Sequence, residues 1–320
     1  MLRRLLPALL LATVFAASAG ATTCPLTATH TLGIYVDQSG GGVQLSDGRI
    51  FVADTYNNRL LQFAENGNLI AVHGPGFPAP YGSLNRPAGI AVDASGNFYV
   101  ADQFGHRILK FNAAMTPIAT WGTSGSGPGQ MLHPTNLAFS PDGSVLYVTE
   151  LTGDRVSMFS PTGTFIGTFG TSGSGAGQLN SPFGIVTDPA GNVLVADELN
   201  SRIQIFNANG GYLSSFGSLG SGPGQFHFTV GLYWDSGGNL YVADQLNNRV
   251  QVFSAPGVPT CEFGSFGGSL GQLYNPWWAM PLRDGSVLVG DTYNYRIVMY
   301  EFGVTPTRTT SWGAVKKTYR

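Results

Sequence analysis

Residues 98–111 read FYVADQFGHRILKF, and this stretch decides the fold. An apolar run ends in Asp102, a short loop follows, and Arg107 begins a second apolar run. Both runs have the length and the aromatic and β-branched content of β-strands. The stretch therefore predicts two neighbouring strands joined by a loop that has an acid at one end and an arginine at the other.

The same pattern occurs six times, and the arginine always follows the acid by five positions. The pairs are Asp54 and Arg59, Asp102 and Arg107, Glu150 and Arg155, Asp197 and Arg202, Asp244 and Arg249, and Asp291 and Arg296. Successive acids lie 47 or 48 residues apart. Such a regular period indicates a repeat architecture, and its length is typical of propeller blades.

Each repeat contains two further strand patterns. One precedes the acid strand, as in GIAVD at residues 89–93, and ends in a turn sequence; another follows the arginine strand and ends in an aromatic residue and glycine, as in GTFG at residues 167–170. Four strands, named a to d here, cannot close a core alone, so the repeats must pack on each other. The sequence predicts an all-β, six-bladed β-propeller of four-stranded antiparallel blades.

The strand that ends in VAD, the loop and the arginine, as in YVADQFGHRI and LVADELNSRI, resemble the NHL repeat family. The resemblance extends over nearly the whole chain after its N-terminal segment. It implies a six-bladed propeller, but one fold can have many functions. What it most often implies is a non-catalytic propeller that binds a protein, peptide or glycan partner.

The N-terminal segment is typical of a secretory signal. Arg3 and Arg4 precede an apolar run that is shorter than a membrane span, and small residues follow it. We expect a cleaved signal peptide at residues 1–21, one propeller domain at 22–320, no membrane span and a secreted or periplasmic monomer. The only two cysteines, Cys24 and Cys261, predict one disulfide in that oxidising compartment.

Two segments compete to complete blade six. TTSWG at residues 309–313 matches the fourth strand of the other blades, whereas residues 27–37 are an N-terminal alternative. We expect the C-terminal segment to form the outer strand and the N-terminal segment to pack beside it. If the N-terminal segment pairs there instead, both chain ends share blade six and Cys24 lies near Cys261.

The composition excludes several classes of protein. Hydrophobic residues make 43% of the chain and charged residues 11%, with a formal net charge of −2. A disordered chain has the opposite balance. RNA binding, known for some NHL domains, needs a positive face, so it is only a remote alternative and no nucleic-acid partner is expected.

The repeated acids and arginines are interpreted as structural ion pairs that hold the b–c loops. Strand alternation places these loops and the links between blades on one face, around the start of each strand a. Residues there that do not follow the repeat are the predicted ligand-binding set: Arg86, His133, Ser181, His227, Asn275, Trp277 and Trp278. A cation, imidazoles and large aromatics are typical of a binding pocket.

No catalytic residue and no cofactor are predicted for the binding function. The alternative is a metal-dependent extracellular lyase or lactonase, because six-bladed relatives include peptidyl-hydroxyglycine amidating lyases and gluconolactonases. The former implies three central histidines on zinc, and the sequence offers His133 and His227 with no clear third. The latter, with zinc or calcium, would draw on four side chains: Asn136, Asn180, Asn275 and Glu198.

Overall fold

The strands of the chain form six four-stranded antiparallel blades, as predicted. The computed structural model describes residues 22–302 except Pro75. Two strands precede blade one: β1 (Thr22–Thr23) and β2 (Leu26–Thr31). Blade one contains β3 (Ser39–Gln44), β4 (Ile50–Asp54), β5 (Arg59–Phe63) and β6 (Leu69–His73). Blade two contains β7 (Pro87–Val92), β8 (Phe98–Asp102), β9 (Arg107–Phe111) and β10 (Pro117–Trp121).

The remaining blades have the same order of strands. Blade three contains β11 (Pro134–Phe139), β12 (Leu146–Glu150), β13 (Arg155–Phe159) and β14 (Phe165–Phe169), and the next link contains β15 (Thr171–Ser172) and β16 (Gln178–Leu179). Blade four contains β17 (Pro182–Thr187), β18 (Val193–Asp197), β19 (Arg202–Phe206) and β20 (Tyr212–Phe216). Blade five contains β21 (Thr229–Trp234), β22 (Leu240–Asp244), β23 (Arg249–Ala255) and β24 (Val258–Phe263). Blade six contains β25 (Pro276–Pro281), β26 (Val287–Asp291) and β27 (Arg296–Phe302), completed by β2.

The first strand of each blade lies innermost, and these six strands surround a central channel. Strand β25 contacts β3, so the last blade meets the first and the ring closes. A hydrophobic cluster lies between each pair of neighbouring blades; between blades one and two, for example, Phe51 and Ala53 pack with Phe98 and Val100. The side chains alternate along strand b, so each b strand supplies both of the interfaces beside it. Across residues 22–302, no helix is both long and apolar enough to span a membrane.

The outer strand of blade six comes from a different end of the chain than predicted. Strand β2 pairs antiparallel with β27 and forms the outer strand, so an N-terminal segment completes the last blade. The prediction of a C-terminal outer strand is therefore wrong, and residues 309–313 lie outside the described residues, as does the predicted signal peptide. Leu26 and Ala28 of β2 are buried in the cluster between blades five and six, which is the physical reason for this pairing.

The predicted disulfide between Cys24 and Cys261 is present. Strand β1 runs parallel to β24 and pairs Thr22 with Cys261, which brings the two cysteines together. The backbone N–H of Cys24 also donates to the Glu262 carbonyl. The disulfide therefore holds the N-terminal segment against blade five just before the chain enters blade six.

The acid and arginine of every repeat form an ion pair, at distances of 2.6 to 3.0 Å, with the acid fully buried. In blade four, Asp197 accepts hydrogen bonds from Arg202 Nε and from the backbone N–H of Asn180. Arg202 in turn donates to the carbonyls of Gly175 and Gln178. The pair therefore fastens the link between two blades to the b–c loop of the blade that follows.

Candidate functional site

The residue immediately before the first strand (strand a) of each blade has left-handed backbone geometry. These residues are Gln38, Arg86, His133, Ser181, Phe228 and Asn275, with φ between 50° and 66°. Four of their backbone N–H groups donate to a side chain of the preceding blade: Asn58, His106, Asp154 or Asn248. The repeat thus fixes the backbone and leaves the side-chain type free to vary. The slot in blade five holds Phe228 and not the predicted His227, whose backbone N–H instead binds Asp244.

The channel opens into a cavity of about 320 Å³ on the face that carries the b–c loops and the links, here called the mouth face. The lining of this mouth cavity consists of Tyr56, Arg86, Gln103, Phe104, Leu151, Ser181, Phe183, Glu198, Val230, Gln245 and Trp277. Three predicted site residues, Arg86, Ser181 and Trp277, lie together there. Tyr56 and Phe104 are not in the predicted ligand-binding set, although both occupy the second position after a repeated acid, in b–c loops that the sequence predicts on this face.

Arg86 is held between two aromatic rings. Its guanidinium carbon lies 4.2 Å from the centroid of the Tyr56 ring and 4.4 Å from that of Phe104. Such stacking restricts the side chain and leaves the edge of the guanidinium plane available for hydrogen bonds. Among the described residues, no carboxylate pairs with it. Arg86 therefore presents an uncompensated positive charge to the cavity.

Glu198 presents the opposite charge without a partner. It begins the 3-10 turn Glu198–Asn200 directly after Asp197, and the residues at this position in other blades are neutral. No side chain or backbone donor in the described residues binds its carboxylate, and burial raises the pKa of Glu198 to about 7. The sequence predicts Glu198 only as part of a lactonase ligand set, because an acid next to a repeated acid belongs to no pattern that assigns it a role.

Two glutamines complete the polar lining. Gln103 and Gln245 occupy the same position after the acid as Glu198, and they are only 9% and 8% exposed. Their backbones bond to the links. Their side-chain amides are not among the fully buried polar atoms that lack a partner in the described residues. The two amides are therefore reachable from the cavity and available to a ligand there.

His133 lies at the rim of the mouth cavity. Its ring packs on Phe104 and His106, with centroids 4.8 Å and 4.5 Å away, and its Nδ1 bonds to Thr152 Oγ1. Burial and then the neighbouring His106 lower the pKa of His133. A ligand that extends beyond the cavity would meet this neutral histidine next to Phe104.

Trp278 does not lie at the mouth, in contrast to the prediction. It is fully buried between blades six and one, and its indole N–H donates to the backbone and side chain of Ser39. Gly290 permits this position, because a Cβ there would collide with the indole. Trp277, its neighbour on the opposite side of the strand, lines the cavity and packs on Phe183 with centroids 5.6 Å apart. Asn275 is also buried and outside the lining.

The mouth face carries a row of exposed aromatic rings, here called the aromatic arc. It consists of Tyr35, Tyr56, Phe104, Phe266, Tyr274, Tyr293 and Tyr295, which are 39% to 65% exposed. Tyr35 stacks on Tyr295, and Tyr274 contacts both Phe266 and Tyr293, with centroids 5.1 to 5.3 Å apart. The rings of the arc thus form three groups, and the third consists of Tyr56 and Phe104 on either side of Arg86.

The side chains considered for metal binding are not brought together. Asn136 lines a second cavity, of about 390 Å³, at the opposite end of the channel, whereas Glu198 lines the mouth cavity. His227 contacts Phe228, and His133 contacts His106. Within residues 22–302 no group of three or more His, Cys, Asp or Glu side chains could hold a metal ion. The three-histidine set is therefore not assembled in the described residues, and the lactonase set is divided, because Asn136 and Glu198 line different cavities.

Comparison with known proteins identifies two of the repeats. The NHL repeat model matches residues 84–111 and 179–206, which belong to blades two and four. No curated protein sequence matches the chain. The chain therefore contains NHL repeats, as the resemblance implied.

Solved structures share the propeller fold at low sequence identity. A streptogramin B lyase is 14% identical with a TM-score of 0.61, and the alignment covers 87% of this chain and 97% of the lyase. An inactive virginiamycin B lyase from Staphylococcus aureus, solved with quinupristin, is 14% identical with a TM-score of 0.58, covering 82% of this chain and 80% of its own. A candidate gluconolactonase is 16% identical with a TM-score of 0.63, covering 88% and 94%. At this identity the likeness shows the fold alone.

Proposed function

Because this chain is a six-bladed β-propeller that contains NHL repeats, we propose that it is an exported binding protein whose mouth face takes up a peptide, free or as a segment of a partner protein. The aromatic arc supports a peptide, since tyrosine rings offer large contact areas at low entropic cost and are enriched in protein-binding surfaces. The disulfide is compatible with an extracellular or periplasmic location.

The observation that carries this proposal is the uncompensated guanidinium of Arg86. The rings of Tyr56 and Phe104 hold it in place before any ligand arrives, so binding would cost little side-chain entropy. A guanidinium binds a carboxylate through two parallel hydrogen bonds, which are stronger than neutral ones. An acidic side chain or a terminal carboxylate of a peptide matches this group.

Substitution Arg86→Ala is expected to weaken peptide binding by about thirtyfold, or about 2 kcal/mol, as for a central arginine of an interface. The probe is a set of peptides selected on the wild-type chain from a random heptapeptide library, measured by isothermal titration calorimetry. Arg86→Lys should restore little of this loss, because lysine keeps the charge but cannot form the bidentate contact.

Arg283→Ala is the matched control, because Arg283 is an exposed arginine that lines the cavity at the opposite end of the channel. Its affinity for the selected peptides should equal that of the wild type. Equal affinities for the Arg86→Ala variant and the wild type would show that the peptides bind elsewhere, and the proposal would fail.

A second candidate function, an extracellular lyase or lactonase, is favoured by one observation. Glu198 is unpaired in the mouth cavity, and a pKa of about 7 suits a general acid or base at neutral pH. Streptogramin B antibiotics and gluconolactone are the compounds to test, given the names of the structural neighbours. Turnover that mass spectrometry detects with the wild type and that Glu198→Gln abolishes would favour the enzyme. No metal-dependent step is assigned to this candidate function.

A further inference from the structure

The mouth cavity contains two opposite charges that do not neutralise each other. Arg86 precedes the first strand of blade two, and Glu198 lies on the b–c loop of blade four. Burial is the only cause of the raised pKa of Glu198, with no opposing effect from a cation. The two groups do not form an ion pair with each other. Each lacks a counter-charge among the described residues, and an unpaired charge away from water is unfavourable.

The mouth cavity as a whole suits an ammonium group. Aromatic rings attract cations at their faces, and the cavity is lined by Trp277 and Phe183. A ligand ammonium would supply both the counter-charge and the hydrogen-bond donors that the Glu198 carboxylate lacks.

The two glutamines in the lining offer further polar groups to a ligand. Gln103 and Gln245 are more than nine-tenths buried, and each offers one acceptor and two donors. A peptide bond has one donor and one acceptor, so it is complementary to such amides. The volume of about 320 Å³ lies at the lower end of the range for ligand sites, which favours a ligand of a few residues.

We infer that the mouth cavity recognises short peptides with both ends free, with the N-terminal ammonium at Glu198, the C-terminal carboxylate at Arg86 and peptide groups at Gln103 and Gln245. This inference rests on the proposed function and specifies its ligand. Arg86 and Glu198 belong to blades two and four, with blade three between them, which favours dipeptides and tripeptides over single amino acids, whose charges are adjacent.

The test compares free and blocked peptides. A panel of free dipeptides and tripeptides is screened by calorimetry against the wild-type chain, and the tightest binder is remade with an acetylated N-terminus and with an amidated C-terminus. Each modification should weaken binding at least tenfold. Glu198→Gln should remove the effect of acetylation but not that of amidation, and Arg86→Met should do the reverse, as expected of independent contacts.

Affinity measured over a series of pH values gives a second test, because its pH dependence would not change on substitution if Glu198 had only a structural role. Binding needs an ionised Glu198 carboxylate and a protonated peptide N-terminus. Below pH 7 the carboxylate is protonated, whereas at pH 8 about half or more of the N-termini have lost their proton, so affinity for a free N-terminus should fall about fourfold between pH 8 and pH 6. In the Glu198→Gln variant the affinity should no longer fall in this way. Any pH dependence of the affinity that comes from His106 or His133 near the rim would remain in this variant.

Three results would overturn the inference: no binding of any free dipeptide or tripeptide, equal affinity for free and blocked peptides, or an unchanged effect of acetylation in Glu198→Gln. The proposed function survives these results if library-selected peptides still bind and still lose affinity in Arg86→Ala. Thermal melting of Glu198→Gln should occur at or above the wild-type temperature, because the substitution keeps the shape of the side chain and removes an unfavourable unpaired charge.

Discussion

Replacement of Asp197 by alanine is expected to lower the free energy of unfolding by about 3–5 kcal/mol. The carboxylate is fully buried and accepts hydrogen bonds from Arg202, Asn180 and Asn200. Its removal leaves the mostly buried Arg202 guanidinium without a counter-ion and the Asn180 amide without an acceptor. Breaking one side of such a pair therefore costs more than the pair itself contributes.

Chemical denaturation followed by tryptophan fluorescence measures this effect. Asp47→Ala is the matched control, since Asp47 also pairs with an arginine, Arg49, at 2.8 Å, but at the surface. Exposed pairs contribute about 0–1 kcal/mol, so this variant should be nearly as stable as the wild type. A loss for Asp197→Ala no larger than that for Asp47→Ala would contradict the role assigned to the repeated pair.

The repeated pair also explains why the fold could be predicted. An acid and an arginine five positions apart must come together once the strands form a hairpin, and the structure aligns Asp102 with Arg107 across β8 and β9. This contact is local in sequence, so a pattern reveals it. The number of such pairs then predicts the number of blades, because each repeat forms one blade.

The closure of the ring could not be predicted in the same way. It depends on which of two segments, far apart in sequence, packs better against β27. Burial of Leu26 and Ala28 between blades five and six favours β2, and this interface exists only in the folded ring. Local patterns describe strands well, but they do not rank two distant segments that compete for one edge.

Only part of the candidate site could be predicted from the sequence, and the reason is related. Arg86, Ser181 and Trp277 occupy repeat positions that the pattern assigned to the mouth. Trp278 follows Trp277 directly, and strand alternation turns it into the core between blades, so only one of the two tryptophans lines the cavity. The absence of partners for Arg86 and Glu198 is a property of three-dimensional contacts, so no sequence pattern contains it.

The disulfide is the other feature whose loss should have a large effect. It joins residues 237 positions apart, so in the unfolded chain it closes a very long loop. The chain-entropy model gives a stabilisation of up to about 5 kcal/mol for a loop of this size, although native contacts can reduce the measured value. Reduction, or the double substitution Cys24→Ala and Cys261→Ala, is expected to lower the free energy of unfolding by up to that amount.

The position of the disulfide predicts which part of the structure would unfold locally once the disulfide is lost. Cys24 lies directly before β2, so its release frees the segment that completes blade six and covers the cluster between blades five and six. Hydrogen exchange at the β2–β27 pairing should therefore accelerate more than exchange at the pairing of β18 with β19 in blade four. A reducing agent should have no further effect on the double variant, which controls for the reagent. If the reduced and oxidised chains unfold at the same denaturant concentration, with equal exchange at β2, then burial of Leu26 and Ala28 alone is sufficient to close the ring.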